Sequence, residues 1–233
     1  MLNKLDVLDK GSVILHDTMG SDLTVVNAAR VSYDKMSYEL DERDIRLINF
    51  LAREGHTSPF RHATLQFEIY SPLMVARQHW KYIVGSSIAE ADGDNMDAWN
   101  ESSRRYVTEE PTFYIPGSHE WRSSPENSKQ GSGEPLGVDV GVELTEDLIK
   151  YVDNGLYLYE EAMRNGVCAE QARLFLPAYG MYVRYYWTAS LQSVAHFISQ
   201  RLADDSQVEI QEYAKAVYIL AMSKFPNSIE ALI

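Results

Sequence analysis

The sequence predicts a mixed α+β domain, and three observations carry that prediction. Residues 63–70 alternate strictly, with Ala63, Leu65, Phe67 and Ile69 on one side and Thr64, Gln66, Glu68 and Tyr70 on the other. A period of two marks a strand buried on one face. The second half of the chain instead repeats apolar residues at helical spacing, as in Ile149, Val152, Leu156, Tyr159 and Met163. The 233 residues, 45% of them hydrophobic, suffice for one sizeable core, so a single domain spanning 1–233 is expected.

In chain order, residues 2–15 read as one or two strands broken by the turn Asp9-Lys10-Gly11. Ser21 or Asp22 is placed to cap a helix through Val25, Ala28 and Ala29 to about Val31. Asp41 opens a second helix, with Ile45, Ile48 and Leu51 on its apolar face and Gly55 as a left-handed cap. Pro72 ends the alternating strand, and a helix is expected over 73–80. Residues 85–98 and 118–141 are rich in Ser, Gly, Asp and Asn and read as polar loops, the second a mobile one. Beyond the helix that Asn165-Gly166 ends, a shorter helix carries Arg173 and stops before Pro177. Residues 182–187 are aromatic and β-prone. Leu191, Val194, Ala195, Ile198 and Leu202 form the face of the next helix. A capping box of Ser206 with Glu209 is expected to open the last helix, which ends at Pro226.

Thirty-four acidic against 21 basic residues leave a net charge of -13, a field that repels a polyanion, so no nucleic-acid partner is expected. A single small anion is another matter, because a few arginines in a pocket hold one phosphate against an acidic background. Cys168 is the only cysteine and reads as a small buried residue, with neither a disulfide nor a zinc cluster in prospect. No apolar stretch approaches membrane-spanning length, and a soluble, cytoplasmic protein without membrane partners is expected.

Arg105, Arg173 and Arg201 lie in three separate segments beside apolar or small residues. For any one of them alone, a snorkelling side chain or a buried ion pair fits as well as an anion-binding role. Together they can converge on an anion, since guanidinium matches phosphate and also favours a pyrimidine that has lost its N3 proton. Glu101, Ser103 and Arg105 alternate, so an extended loop points an acceptor, a hydroxyl and a cation the same way; a solvated loop fits them as well. His56 and His62 flank Pro59-Phe60 without metal-ligand spacing, and no metal site is expected. His56 is placed to cap a helix end and His196 to sit beside an apolar face. There is no Gly-x-Gly-x-x-Gly and no Walker sequence.

These pieces, in this order, resemble the flavin-dependent thymidylate synthase family. Its signature is Arg-His-Arg, two residues, Ser, one residue, Asn-Glu, one residue, Ser, one residue, Arg-Tyr. Ser86 supplies the first Ser, and Asn100-Glu101, Ser103 and Arg105-Tyr106 give the second half in full. The likeness extends through Leu8-Asp9-Lys10-Gly11, Ala28-Ala29-Arg30-Val31-Ser32, Gly55-His56 with Pro59-Phe60 and His62, and Val75-Ala76-Arg77-Gln78. It continues through Ala172-Arg173 with Leu176-Pro177, and Arg201 with Ala203-Asp204. The resemblance implies an antiparallel-rich central sheet packed with helices, and a homotetramer with sites at subunit interfaces. It implies reductive methylation of dUMP to dTMP, with methylenetetrahydrofolate as one-carbon donor and NADPH reducing bound FAD. Arg201 is then the activating catalytic residue on the uracil. Gln78, Lys81, Glu101, Ser103, Arg104, Arg105, Arg173 and Arg201 are expected to hold dUMP. His56, Ser58, Lys81, Tyr82, Ile83, Glu101, Ser190, Gln192 and His196 are expected along FAD.

The chain departs from the pattern in three places. Lys81-Tyr82-Ile83 stands where the family has Arg-His-Arg, Gln192 where an arginine is frequent, and residues 88–98 insert Glu90, Asp92, Asp94 and Asp97 into the signature. Two alternatives therefore accompany the methylating synthase: a relative that adds a hydroxymethyl or other one-carbon group or takes another pyrimidine nucleotide, and a non-catalytic nucleotide- or flavin-binding homologue.

Overall fold

The computed structural model describes residues 3–80, 98–101 (as backbone), 110–126 and 131–233. Five strands form one antiparallel sheet in the order β1-β2-β3-β5-β4, from β1 (Lys4–Val7), β2 (Gly11–Met19), β3 (Thr64–Pro72), β4 (Ala98–Glu101) and β5 (Tyr182–Ser190). The central strand behaves as its alternation predicts: Ala63, Leu65, Phe67 and Ile69 are fully buried, while Thr64, Gln66, Glu68 and Tyr70 line the other face half-buried. Phe67 pairs with Trp187 and Thr64 with Ser190 across β3 and β5.

The apolar face of the sheet is covered by α1 (Asp22–Arg30), α2 (Glu42–Arg53), α3 (Leu73–Trp80), α6 (Leu191–Arg201), α7 (Val208–Met222) and α8 (Pro226–Leu232), whose buried residues share one core with the strands. Asp41 caps α2 by accepting from the amides of Arg43 (2.7 Å) and Asp44 (2.9 Å). Asp22 does the same for α8 across the fold, accepting from the amides of Asn227 and Ser228, each at 3.0 Å. The tight β1–β2 turn brings Gly11 against α7: a Cβ there would sit 1.9 Å from the Tyr213 hydroxyl, which donates to the Tyr70 carbonyl at 2.8 Å. The sheet's open face carries a polar network in which Glu68 accepts from His16 at 2.8 Å and pairs with Arg184.

Several expectations are corrected. The polar stretch 118–141 is not one loop. Arg122 bridges Pro135, the Ser123 amide donates to the Glu134 carbonyl at 2.9 Å, and Val138–Arg164 is already the long helix α4. Backbone pairing and a helix start override the polar composition. The expected capping box also fails: Ser206 donates instead to the Gln200 carbonyl at 3.0 Å, Glu209 pairs with Arg122, and α7 begins at Val208. That helix ends at Met222, so Pro226 starts α8, where a residue without an N–H is tolerated. Cys168 is exposed at the start of the short α5 (Ala169–Ala172). On α4 only Val152 of the expected apolar stripe is buried, packed with Phe113 and Leu176; Ile149 and Met163 face outward. The expected loop 85–98 lies outside the described residues apart from Ala98, which opens β4.

Candidate functional site

Helix α6 is held rigidly by its apolar stripe, with Leu191, Val194 and Ile198 fully buried, and it presents polar groups at both ends. At its C-terminal end Arg201 lines a cleft of about 390 Å³ together with Gln78, Gln200, Asp205, Ser206 and Gln207. Pro72 closes β3 and turns the chain straight into α3, which delivers Gln78 to this cleft. The α6–α7 connection is pinned beneath it, where the Gln211 side chain donates to the carbonyls of Ala203 (3.2 Å) and Ser206 (3.0 Å). Gln78 donates to Gln207, Gln207 donates to Glu209 at 2.8 Å, and Glu209 pairs with Arg122. A second cleft of about 510 Å³ adjoins this chain, walled by Phe113, Tyr114, Trp121, Tyr151 and Tyr179 and sharing Gln207.

At the N-terminal end of α6, about 15 Å away at a helix rise of 1.5 Å per residue, a second group assembles. Ser190 caps the helix by accepting from the Ser193 amide at 3.2 Å. The 3-10 turn Ser58–His62 lies alongside because the Leu191 amide donates to the Ala63 carbonyl at 2.9 Å. Arg61 reaches from that turn to Gln192, with Nε donating to Oε1 at 2.6 Å. His56 is exposed just beyond α2, its ring edge-on to Phe50, and His196 sits half-buried midway along α6. An exposed guanidinium beside a helix N-terminus forms a donor-rich edge suited to an anionic or carbonyl-bearing ligand.

A model of the family described as thymidylate synthase complementing protein matches residues 14–227. The chain belongs to that family. Among thymidylate synthase complementing proteins it is 36% identical over 230 residues to the flavin-dependent thymidylate synthase of Thermotoga neapolitana, covering 99% of this chain and 94% of that one. It is 34% identical to the Thermus thermophilus enzyme of the same name, over 95% of this chain and 75% of that one. The fold matches the solved structure of a UMP/dUMP methylase, PolB, from Streptomyces cacaoi bound with 5-Br dUMP. The TM-score is 0.79 at 24% identity, with 97% of this chain and 96% of that one covered.

Against this family frame, the expected residues fall into three groups. Gln78 and Arg201 come together in one cleft, and Ser58, Ser190 and Gln192 gather at the other end of α6. Arg173 is exposed on the 3-10 turn Arg173–Phe175, donating to the Glu170 carbonyl at 3.3 Å, and is not among the residues lining the Arg201 cleft. Lys81, Tyr82, Ile83, Ser103, Arg104 and Arg105 lie outside the described residues, and Glu101 is described only as the end of β4, paired with Tyr185. Sequence reasoning passed over Arg61, Gln207 and Arg122, and gave Glu209 another role. Arg61 occupies the unspecified position between Phe60 and His62 in a motif already noted, and Glu209 was taken for a capping residue. Nothing local in sequence marks Arg122, whose partner is 87 residues away. Among the described residues no group of His, Cys, Asp or Glu is placed to hold a metal ion, and no helix is long and apolar enough to cross a membrane.

Proposed function

We propose that this protein is a flavin-dependent thymidylate synthase that converts dUMP to dTMP, with methylenetetrahydrofolate as carbon donor and NADPH as the source of reducing equivalents. The observation that carries this reading is the meeting of Arg201 from α6 and Gln78 from α3 in one polar cleft, at the opposite end of α6 from a separate donor-rich edge. Arg201 aims a planar, permanently charged fork at the bound pyrimidine, stabilising the anion left when N3 loses its proton and raising electron density at C5. No cysteine nucleophile is needed for that activation. Cys168 is exposed and lines neither cleft.

The donor set at the N-terminal end of α6 fits FAD. His56, Ser58, Ser190, Gln192 and His196 would hold it, with Arg61 restoring a guanidinium where Gln192 has replaced the family's frequent arginine. When bound, FAD supplies the hydride that completes the methyl group. Lys81, Tyr82, Ile83 and Glu101 belong to the same proposed flavin contacts, and Lys81, Glu101, Ser103, Arg104 and Arg105 to the proposed dUMP contacts. Arg173 reaches dUMP in a neighbouring subunit of a homotetramer. Its neighbours Leu174 and Phe175 are 82% and 48% exposed, and Tyr151, Tyr157 and Tyr179 are likewise outward, which supports burial of this face between subunits.

Arg201→Lys tests the reading. The variant is expected to lose about 100-fold or more in turnover of dUMP, the scale of losing an oriented donor at a developing anion. It should keep the flavin absorbance and melting temperature of the parent. Near-normal turnover would remove Arg201 from its assigned role.

A further inference from the structure

The hydrogen-bond chain that ends at Gln78 has its direction fixed from the far end. Glu209 is 5% exposed, and as a carboxylate it only accepts. One of its oxygens takes the Arg122 guanidinium and the other takes the Gln207 amide nitrogen at 2.8 Å. Arg122 is itself oriented, its Nη1 donating to the Glu120 carbonyl at 3.1 Å. The Gln207 nitrogen has two hydrogens, one taken by Glu209 and the other facing Met74 Sδ at 3.6 Å, so Gln207 offers Gln78 its carbonyl oxygen and Gln78 turns its NH2 group inward as donor. The oxygen of Gln78 is thereby left for a ligand in the cleft that also holds Arg201.

We infer that Glu209 is a positioning residue that sets the polarity of Gln78, so that Gln78 presents an acceptor to an N–H or O–H donor of the bound nucleotide. The inference rests on the reading of the Arg201 cleft as the dUMP site. Its physical content is that an amide has two nearly isosteric orientations with opposite hydrogen-bonding character. Without a fixed acceptor at the end of the chain, Gln78 has no reason to prefer one of them. A site that hydrogen-bonds a ligand group discriminates strongly when the partner has the wrong polarity, because two like groups then face each other without water.

The shape-preserving change Glu209→Gln reverses the chain. The single amide oxygen of the new side chain goes to Arg122, its NH2 faces Gln207, Gln207 turns its own NH2 toward Gln78, and Gln78 turns its oxygen inward. The cleft then offers the nucleotide a donor where it had an acceptor. The expected result is a tenfold or greater rise in the dissociation constant for dUMP, measured by calorimetry, and a rise in KM larger than any fall in kcat. The decisive comparison is a second substitution, Gln78→Glu, which presents only acceptors. Alone it sets a carboxylate against the Gln207 oxygen and weakens binding; combined with Glu209→Gln it meets the reversed Gln207 as a donor and again offers the nucleotide an acceptor. The double variant is therefore expected to bind dUMP more tightly than either single variant, a pattern that loosened packing cannot produce. Unchanged dUMP affinity in Glu209→Gln, or a double variant no tighter than both singles, would overturn the positioning role while leaving the dUMP site in place. Failure of the unsubstituted protein to bind dUMP would overturn both.

Discussion

Acidification is expected to destabilise this protein through one buried histidine, His79. The ring is 1% exposed, stacked on Phe197 at 4.1 Å and edge-on to Trp187 at 4.3 Å, with Nδ1 hydrogen-bonded to the Tyr185 hydroxyl at 3.1 Å. Burial in this aromatic setting penalises the charged form and pulls its pKa down from 6.5 to about 3. In the unfolded chain the imidazole protonates near its ordinary value, so between those two values the unfolded state binds a proton that the folded state does not. Stability from this source is complete above about pH 6.5 and falls as the pH drops toward 3, by about 1.4 kcal/mol per unit. From pH 7 to pH 4.5 the loss amounts to roughly 2 to 3 kcal/mol. Urea unfolding followed by tryptophan fluorescence, at one fixed protein concentration so that any assembly contributes equally, gives the wild-type slope. His79→Phe removes the titrating group and keeps an aromatic ring, so its unfolding free energy should fall by that much less over the same interval. A difference between the two proteins that stays constant from pH 7 to pH 4.5 would show that His79 is not held neutral by the core.

Two further predictions concern a helix cap and the proposed flavin edge. Asp22→Ala leaves the first amides of α8 without their acceptor and should cost about 2 to 3 kcal/mol, seen as a fall in melting temperature; a shift within error would show that water replaces the carboxylate. Arg61→Ala removes the guanidinium beside Gln192 and should weaken FAD binding about tenfold or more, read by flavin fluorescence titration; unchanged affinity would take Arg61 out of the flavin site.

Local patterns made much of this fold legible. The period-two alternation of residues 63–70 located the central strand and its buried face, and Asp41 with Gly55 bracketed α2, because strand pleat and helix caps are written in adjacent residues. Helix α6 was equally readable from its stripe, and with it the position of Arg201 at a helix end. What local pattern does not encode is pairing at long range. The Ser206 and Glu209 spacing satisfies a capping box, yet each side chain finds a better partner: a carbonyl of the preceding helix for one, Arg122 for the other. Within the polar run from 118, the amides of Ser123, Gly133 and Leu136 donate to carbonyls of the same run, and from Val138 the chain is already α4. The outward-facing Ile149 and Met163 follow a helical period correctly, and period alone says nothing of what the stripe packs against. Family order nominated Gln78 and Arg201, which share a cleft, and Ser190 and Gln192, which share the other end of α6, while Arg61 and the Gln207–Glu209–Arg122 chain emerged only from contacts between distant segments.

The most direct test of the account is the product made from dUMP. The purified protein, supplied with FAD, methylenetetrahydrofolate and NADPH, is expected to convert dUMP to a nucleotide with the mass of dTMP, and to stop when NADPH is withheld. A product carrying a hydroxymethyl group at C5, or no C5-substituted product at all with flavin supplied, would contradict it.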